Sequence, residues 1–230
     1  NNLINKIIGW STKSWFYPLE KAIYEFSLVD KKKVLELGAG EYSAVSLLFL
    51  NNKNNIHITV YDNAKIEKIK LLVNEIQDSK KSIKNIQISS MSAKKVNGKY
   101  NLIIMKSVLG GIFRLKNSKK EDAQNLIKEI VKNNLEDNGI LVSMDNGKTT
   151  FESFFSKFGA RKNKWRYFVP SDFSDATKQY HFGFLTNFSF SIRFRNIGYT
   201  LDNIIFLIDK LIYKVVKIKN PSIIVSIYKK

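Results

Sequence analysis

The chain has 230 residues, 44% hydrophobic and 25% charged, enough for one well-packed domain and too few for two typical ones. It has no cysteine, which excludes disulfides and thiolate-bound metals, and no apolar run approaching the ~18 residues of a membrane span. The formal net charge is +18, yet only five of the 38 basic residues are arginine, the base that phosphate recognition favours, so neither a plain solvated surface nor a general anion-attracting one is excluded.

Read in order, apolar residues at Leu3, Ile7, Trp10, Trp15, Leu19, Ile23 and Phe26 predict a helix over 3–28. "KVLEL" (33–37) reads as a strand, "AVSLLFL" (44–50) as a helix and "IHITVYD" (56–62) as a second strand. "AKIEKIKLLVNEIQ" (64–77) is an amphipathic helix, followed by strands "IQISS" (86–90) and "YNLIIMK" (100–106). A helix over 121–135 and a strand over 139–145 complete the alternation, which argues for a parallel sheet covered on both faces. Beyond Asp145 the rhythm changes. "FESFFSKFG" is a predicted helix ended by Gly159, and a strand (177–186), a helix (200–216) and a final strand (222–230) follow. The helix over 200–216 is apolar and runs into Lys217 and Lys219, a combination compatible with peripheral attachment to a membrane as well as with packing on the sheet.

The stretch "KKKVLELGAGEYS" carries the strongest chemical signal. An acid, Glu36, closes the first strand; Gly38 and Gly40 then allow a tight turn with bare backbone, and a helix follows. The next strand ends at Asp62, where a carboxylate can accept both hydroxyls of a ribose. A dinucleotide fingerprint would need a third glycine, which is missing here.

Together, "VLELGAG" and "VYDNA" resemble the first two motifs of the class I S-adenosylmethionine-dependent methyltransferases. "KYNLIIMKSV", "LEDNGILVSMD" and "SIIVSIYKK" are similar to that family's fourth, fifth and seventh strands. The resemblance implies an α/β, Rossmann-like fold: a mostly parallel seven-stranded sheet with an antiparallel last strand and helices on both faces. It implies S-adenosyl-L-methionine as cofactor, held by Glu36, Gly38, Gly40, Tyr42, Asp62, Asn63, Ser92 and Ala93. Three positions depart from the family pattern: Tyr42 replaces a frequent third glycine, Ser92 an adenine-reading acid, and Asn101 an aspartate. Residues 1–30 are expected as a helical lid and 31–230 as the methyltransferase domain, with an aromatic-rich insertion at about 185–220. Trp10 and Trp15 either cover the cofactor or anchor the first helix to the core.

Methyl transfer from a sulfonium needs an aligned acceptor and, for a hydroxyl or amine, a group that takes its proton. Asp145, leaving the fifth strand, Lys106, leaving the fourth, and His181, in the strand "QYHFGF", are the candidate catalytic residues. Arg161, Arg166, Arg193 and Arg195 are concentrated in the elaborated region and are expected to meet an anionic group on the acceptor. No spacing of histidines and acids suggests a metal site. The chain resembles small methyltransferases of bacterial surface-polysaccharide gene clusters, so the expected acceptor is a small molecule or glycan, methylated at oxygen in the cytoplasm. No specific nucleic acid is expected, because neither an appended RNA-binding module nor a base-methylation motif after the fourth strand is present. RNA methylation, suggested by charge, and a non-catalytic membrane-surface module with the same fold are the alternatives.

Overall fold

The computed structural model of the chain describes residues 2–9, 12–24, 32–40, 44–49, 54–79, 85–114, 118–150, 166–186, 197–216 and 218–230. Seven strands form one sheet: β1 (Lys33–Leu37), β2 (Asn55–Val60), β3 (Ile86–Ser90), β4 (Tyr100–Lys106), β5 (Leu135–Asn146), β6 (Lys178–Phe182) and β7 (Ile223–Lys229). Their order is β3-β2-β1-β4-β5-β7-β6. All pairings from β3 to β5 are parallel, whereas β7 runs antiparallel to both of its neighbours, so β6 points the same way as the parallel strands. The strands read as continuous apolar runs because helices bury the sheet on both sides; Leu102 to Met105 in β4 have no exposed surface.

Six helices are described: α1 (Asn2–Ile8), α2 (Thr12–Tyr24), α3 (Ile66–Ser79), α4 (Val108–Ile112), α5 (Lys120–Asn134) and α6 (Ile197–Val215). Strand alternation divides the core in two. Val34, Ile56, Leu102 and Val142 meet Ile7, Trp15, Leu19, Ile69 and Val73 from α1, α2 and α3. Leu35, Ile103, Leu141 and Ile224 meet Leu126, Ile127 and Ile130 of α5 on the other face.

Some elements depart from their predicted bounds. The expected single helix over 3–28 is two helices, because Gly9 takes φ +90° after α1 and the Thr12 hydroxyl donates to the Gly9 carbonyl (2.7 Å) to start α2. The segment after the first turn forms only a short 3-10 helix, Val45–Phe49. Strand β5 begins directly after α5, at Leu135, with a register shift between Tyr100 and Leu102 of its partner β4. The predicted helix over 151–159 lies outside the described residues.

The far end of β5 is tightly built. Gly147 donates its N–H to the Ser222 carbonyl (2.8 Å), and a Cβ there would sit 1.9 Å from the Pro221 carbonyl oxygen, so no larger residue fits.

Candidate functional site

In an open parallel sheet, ligands gather beyond the carboxyl ends of the strands where the strand order reverses, here between β1 and β4. The turn leaving β1 is held from β2. Thr59 donates its hydroxyl to the Glu36 carbonyl (2.9 Å) and accepts from the Gly38 amide (3.3 Å), and its own carbonyl accepts from the Ala39 amide (2.7 Å). Gly38 has φ +69°, and a Cβ there would touch Val108 at 3.0 Å, so both conformation and packing require glycine. Gly40 differs. Its φ is not positive, and a Cβ built on it would meet no atom of the described residues within 4 Å. Neither strain nor a described neighbour explains glycine at 40.

Glu36 is buried and its carboxylate is taken by the chain itself. It accepts from the amides of Val45 and Ser46 (2.8 Å each) and from the Ser46 hydroxyl, capping the 3-10 helix that follows the turn. Burial pushes its pKa up, while these donors and the charge of Lys106 pull it down. The resemblance implies a cofactor contact for this acid; within the chain its carboxylate shapes the turn. The main chain of α1 also reaches this segment, since the Ile7 carbonyl accepts from the Ala44 amide at 2.7 Å.

Lys106 ends β4 on the same face of the sheet as Glu36. Its ammonium lies over the ring of Trp15 at 4.7 Å, and burial lowers its pKa to about 8 against the opposing pull of Glu36. Trp15 is completely buried in the core, so it anchors α2 to the sheet beneath Lys106. Beside it, Asn146 donates to the Ser107 hydroxyl (3.1 Å), which fixes the loop where β4 turns into α4.

Asp62 is exposed at the end of β2, with one oxygen accepting from the Ala64 amide at 3.0 Å, and Asn63 beside it is exposed too. Ser92, half-buried, accepts from the Lys94 amide at 3.3 Å, and Ala93 is buried. Their loop is tied to β2 by the Met91 amide, which donates to the Val60 carbonyl (3.0 Å). Asn101, the third departure, accepts from the Lys33 amide (2.9 Å) and so registers the start of β1.

The three expected catalytic side chains are not brought together. Asp145 and His181 face the α5 side of the sheet, opposite Lys106, in one row with Ile224 between them. Two strand spacings put their backbones about 10 Å apart. Asp145 is 1% exposed, accepts from the Ser143 hydroxyl and the Gly110 amide, and is pushed up to about 7 by burial. Its Oδ1 is buried without a hydrogen bond. His181 Nε2 bonds Gln179 Oε1 within its own strand (2.7 Å).

Of the four arginines, Arg166 alone is described. Its guanidinium donates to the carbonyls of Phe113 (3.0 Å, through Nε) and Ser118, clamping the loop after α4 rather than presenting a free fork. Arg161, Arg193, Arg195 and Tyr42 lie outside the described residues, as does Trp10. Among the described residues, no three histidines or acids are grouped as a metal site needs. A cavity of about 210 Å³ between α5 and the end of β7, lined by Ile127, Phe173 and Tyr228, lies at the opposite edge of the sheet and is small for a ligand.

Two anchoring residues carried no sequence signal. Thr59 sits in an apolar strand, and Asp209 in an apolar helix. The latter is fully buried and accepts from the amides of Phe184 (2.9 Å) and Leu185 (2.8 Å) and the hydroxyl of Thr186 (2.7 Å), fastening α6 to the turn after β6.

No family model and no curated protein matches this sequence. Solved structures do. Coclaurine N-methyltransferase bound to N-methylheliamine and SAH is 10% identical, with a TM-score of 0.58 over 100% of this chain and 81% of that one. A SAM-dependent methyltransferase from Methanosarcina mazei is 12% identical, with a TM-score of 0.56 over 90% of this chain and 96% of that one. Magnesium protoporphyrin IX methyltransferase from Synechocystis, with bound SAH, is 12% identical, with a TM-score of 0.51 over 72% and 74%. The likeness is one of fold: this chain has the Rossmann-like sheet found in these methyltransferases.

Proposed function

We propose that this chain is an S-adenosylmethionine-dependent methyltransferase that methylates an oxygen of a small or glycan-linked acceptor, in the cytoplasm, within surface-polysaccharide biosynthesis. The observation that carries the reading is Gly40: a glycine with an ordinary φ, at which no described residue crowds a Cβ, in the turn after β1, with the exposed Asp62 just past the neighbouring strand β2. An uncrowded glycine turn after one strand and a hydroxyl acceptor after the next suit a nucleoside-bearing ligand. The turn at Gly38 and Gly40, with Asp62, Asn63, Ser92 and Ala93, would hold the cofactor. Bound there, it supplies a methyl sulfonium, both electrophile and leaving group.

The chain's own work is alignment and exclusion of water. The Lys106 ammonium, seated on the buried Trp15 ring and charged below a pKa of about 8, attracts an anionic or ionising acceptor oxygen. Asp145 and His181 face the other side of the sheet, so the acceptor side of this reading rests on Lys106. The polysaccharide role rests on the sequence resemblance.

Titration calorimetry with S-adenosylmethionine and its demethylated product tests the first step, and transfer of labelled methyl to a panel of sugar phosphates tests the second. Micromolar binding of both ligands is expected. Binding of neither removes the reading; methylation of RNA in preference to the panel replaces its acceptor.

A further inference from the structure

Among the described residues, one face of α6 has no protein partner. With 100° per residue, Ile204, Leu207, Ile208, Leu211 and Val215 fall within an arc of about 100°. All five are exposed, Leu207 by 58%, Leu211 by 64% and Val215 by 85%. Contiguous exposed apolar surface of this kind marks an interaction site more often than a solvated helix. Both acids of the helix, Asp202 and Asp209, fall on the opposite arc, and Asp209 is buried against the turn after β6.

The cations lie along one flank. Lys210 and Lys214 border the stripe, and α2 adds two more lysines on the same side: Lys13 donates to Asn203 (2.6 Å), and Lys21 packs over the Tyr213 ring at 4.5 Å. Lys210 rests over Tyr17 at 5.5 Å, which keeps its charge at the seam between the two helices. Four lysines stand in this neighbourhood against one exposed acid of α2, Glu20. An apolar stripe with a basic flank and no acid of its own is the pattern of a helix lying in a lipid interface. Among the described residues no helix, α6 included, is long and apolar enough to cross a membrane.

We propose that the outer face of α6 docks on an anionic membrane surface, with the stripe in the headgroup boundary and the lysine seam on the lipid phosphates. A second copy of the chain fits less well, because a symmetric contact through the stripe sets two lysine seams of a +18 protein against each other. The proposal is independent of methyl transfer, and cofactor binding measured on the same sample separates the failure of one from the failure of the other.

The test is co-sedimentation of the full chain with vesicles of phosphatidylcholine, alone or mixed with phosphatidylglycerol, at physiological ionic strength. Binding to the mixed vesicles is expected, with a loss of about tenfold in the Leu207→Ser/Leu211→Ser variant and a further salt-sensitive loss in Lys210→Gln/Lys214→Gln. The chain has no cysteine, so Leu211→Cys carries a single polarity-sensitive label whose emission should shift to the blue on mixed vesicles. Equal binding by the leucine variant would show attraction by charge alone. That result, an unshifted label, absence of binding, or a dimer that the leucine variant dissociates each overturns the proposal.

Discussion

Lys106 holds its ammonium 4.7 Å from the centre of the Trp15 ring, on the face of the sheet where Glu36 ends the adjacent strand. A cation between a buried aromatic and a capped carboxylate is charged near neutrality and becomes neutral as pH rises through about 8. The acceptor's Michaelis constant should therefore climb above that pH in the wild type. In Lys106→Met it should be raised about tenfold at pH 7, from the loss of one charge-assisted hydrogen bond, and be flat from pH 7 to 9, with cofactor affinity within about twofold of wild type. Kinetics of the variant that keep the wild-type pH profile assign the titration elsewhere.

Gly40 and Asp62 separate a ligand role from a structural one. Gly40→Ala meets no atom of the described residues and takes an ordinary φ, so the variant should be as stable as wild type or more stable by up to about 1 kcal/mol. Its affinity for S-adenosylmethionine should fall at least about tenfold, because the new methyl fills space that the ligand needs. Asp62→Ala should weaken the same binding by about 1–3 kcal/mol through unpaired hydroxyls. Calorimetry returning wild-type affinity for Gly40→Ala would place the ligand elsewhere.

These residues also mark how far the sequence could be read. The strands were visible because both faces of the sheet are covered, which makes "KVLEL" and "YNLIIMK" nearly continuous apolar runs. The Gly-x-Gly turn after an acid was visible because few residue types tolerate that backbone. Partnership was not. Glu36 reads as a ligand acid, and that Val45 and Ser46 donate to its carboxylate shows only once the chain is folded. Alternation puts Asp145 opposite Met144, but nothing in the chain says which of those two faces carries Lys106 until β4 and β5 are in register. The break at Gly9 was hidden because the apolar period runs on across it.

Asp145 makes the chain's stability depend on pH. Its folded pKa is raised to about 7 by burial, whereas the unfolded chain ionises near the ordinary carboxylate value of about 4. The native state therefore holds the proton more tightly. Its contribution is fully present below about pH 4, falls as pH rises, and is gone above about pH 7. Denaturant melts should show a loss of about 2–4 kcal/mol across that window from this group. Asp145→Asn, which stays neutral and keeps an oxygen for Ser143 and Gly110, should remove most of the slope and exceed wild type at pH 8. An unchanged slope would mean that the carboxyl ionises without cost.

Asp209 ties α6 to the sheet, and its removal should be felt at a distance. Its two oxygens take the amides of Phe184 and Leu185 and the hydroxyl of Thr186, all inside the protein. Asp209→Ala strands the donors of Phe184, Leu185 and Thr186 in an interior that gives them no water, a cost of about 2–4 kcal/mol. Asp209→Asn keeps the shape and one carbonyl for the amides, and its new N–H can donate to the Thr186 oxygen. It should lose only about 1 kcal/mol. The ordering matters more than either value, because simple loss of packing volume would spare Asn altogether, whereas loss of a charged acceptor would not. If urea melts rank alanine and asparagine as equally destabilising, charge decides and the amide cannot substitute. If both match wild type, the carboxylate is not the fastening between α6 and β6.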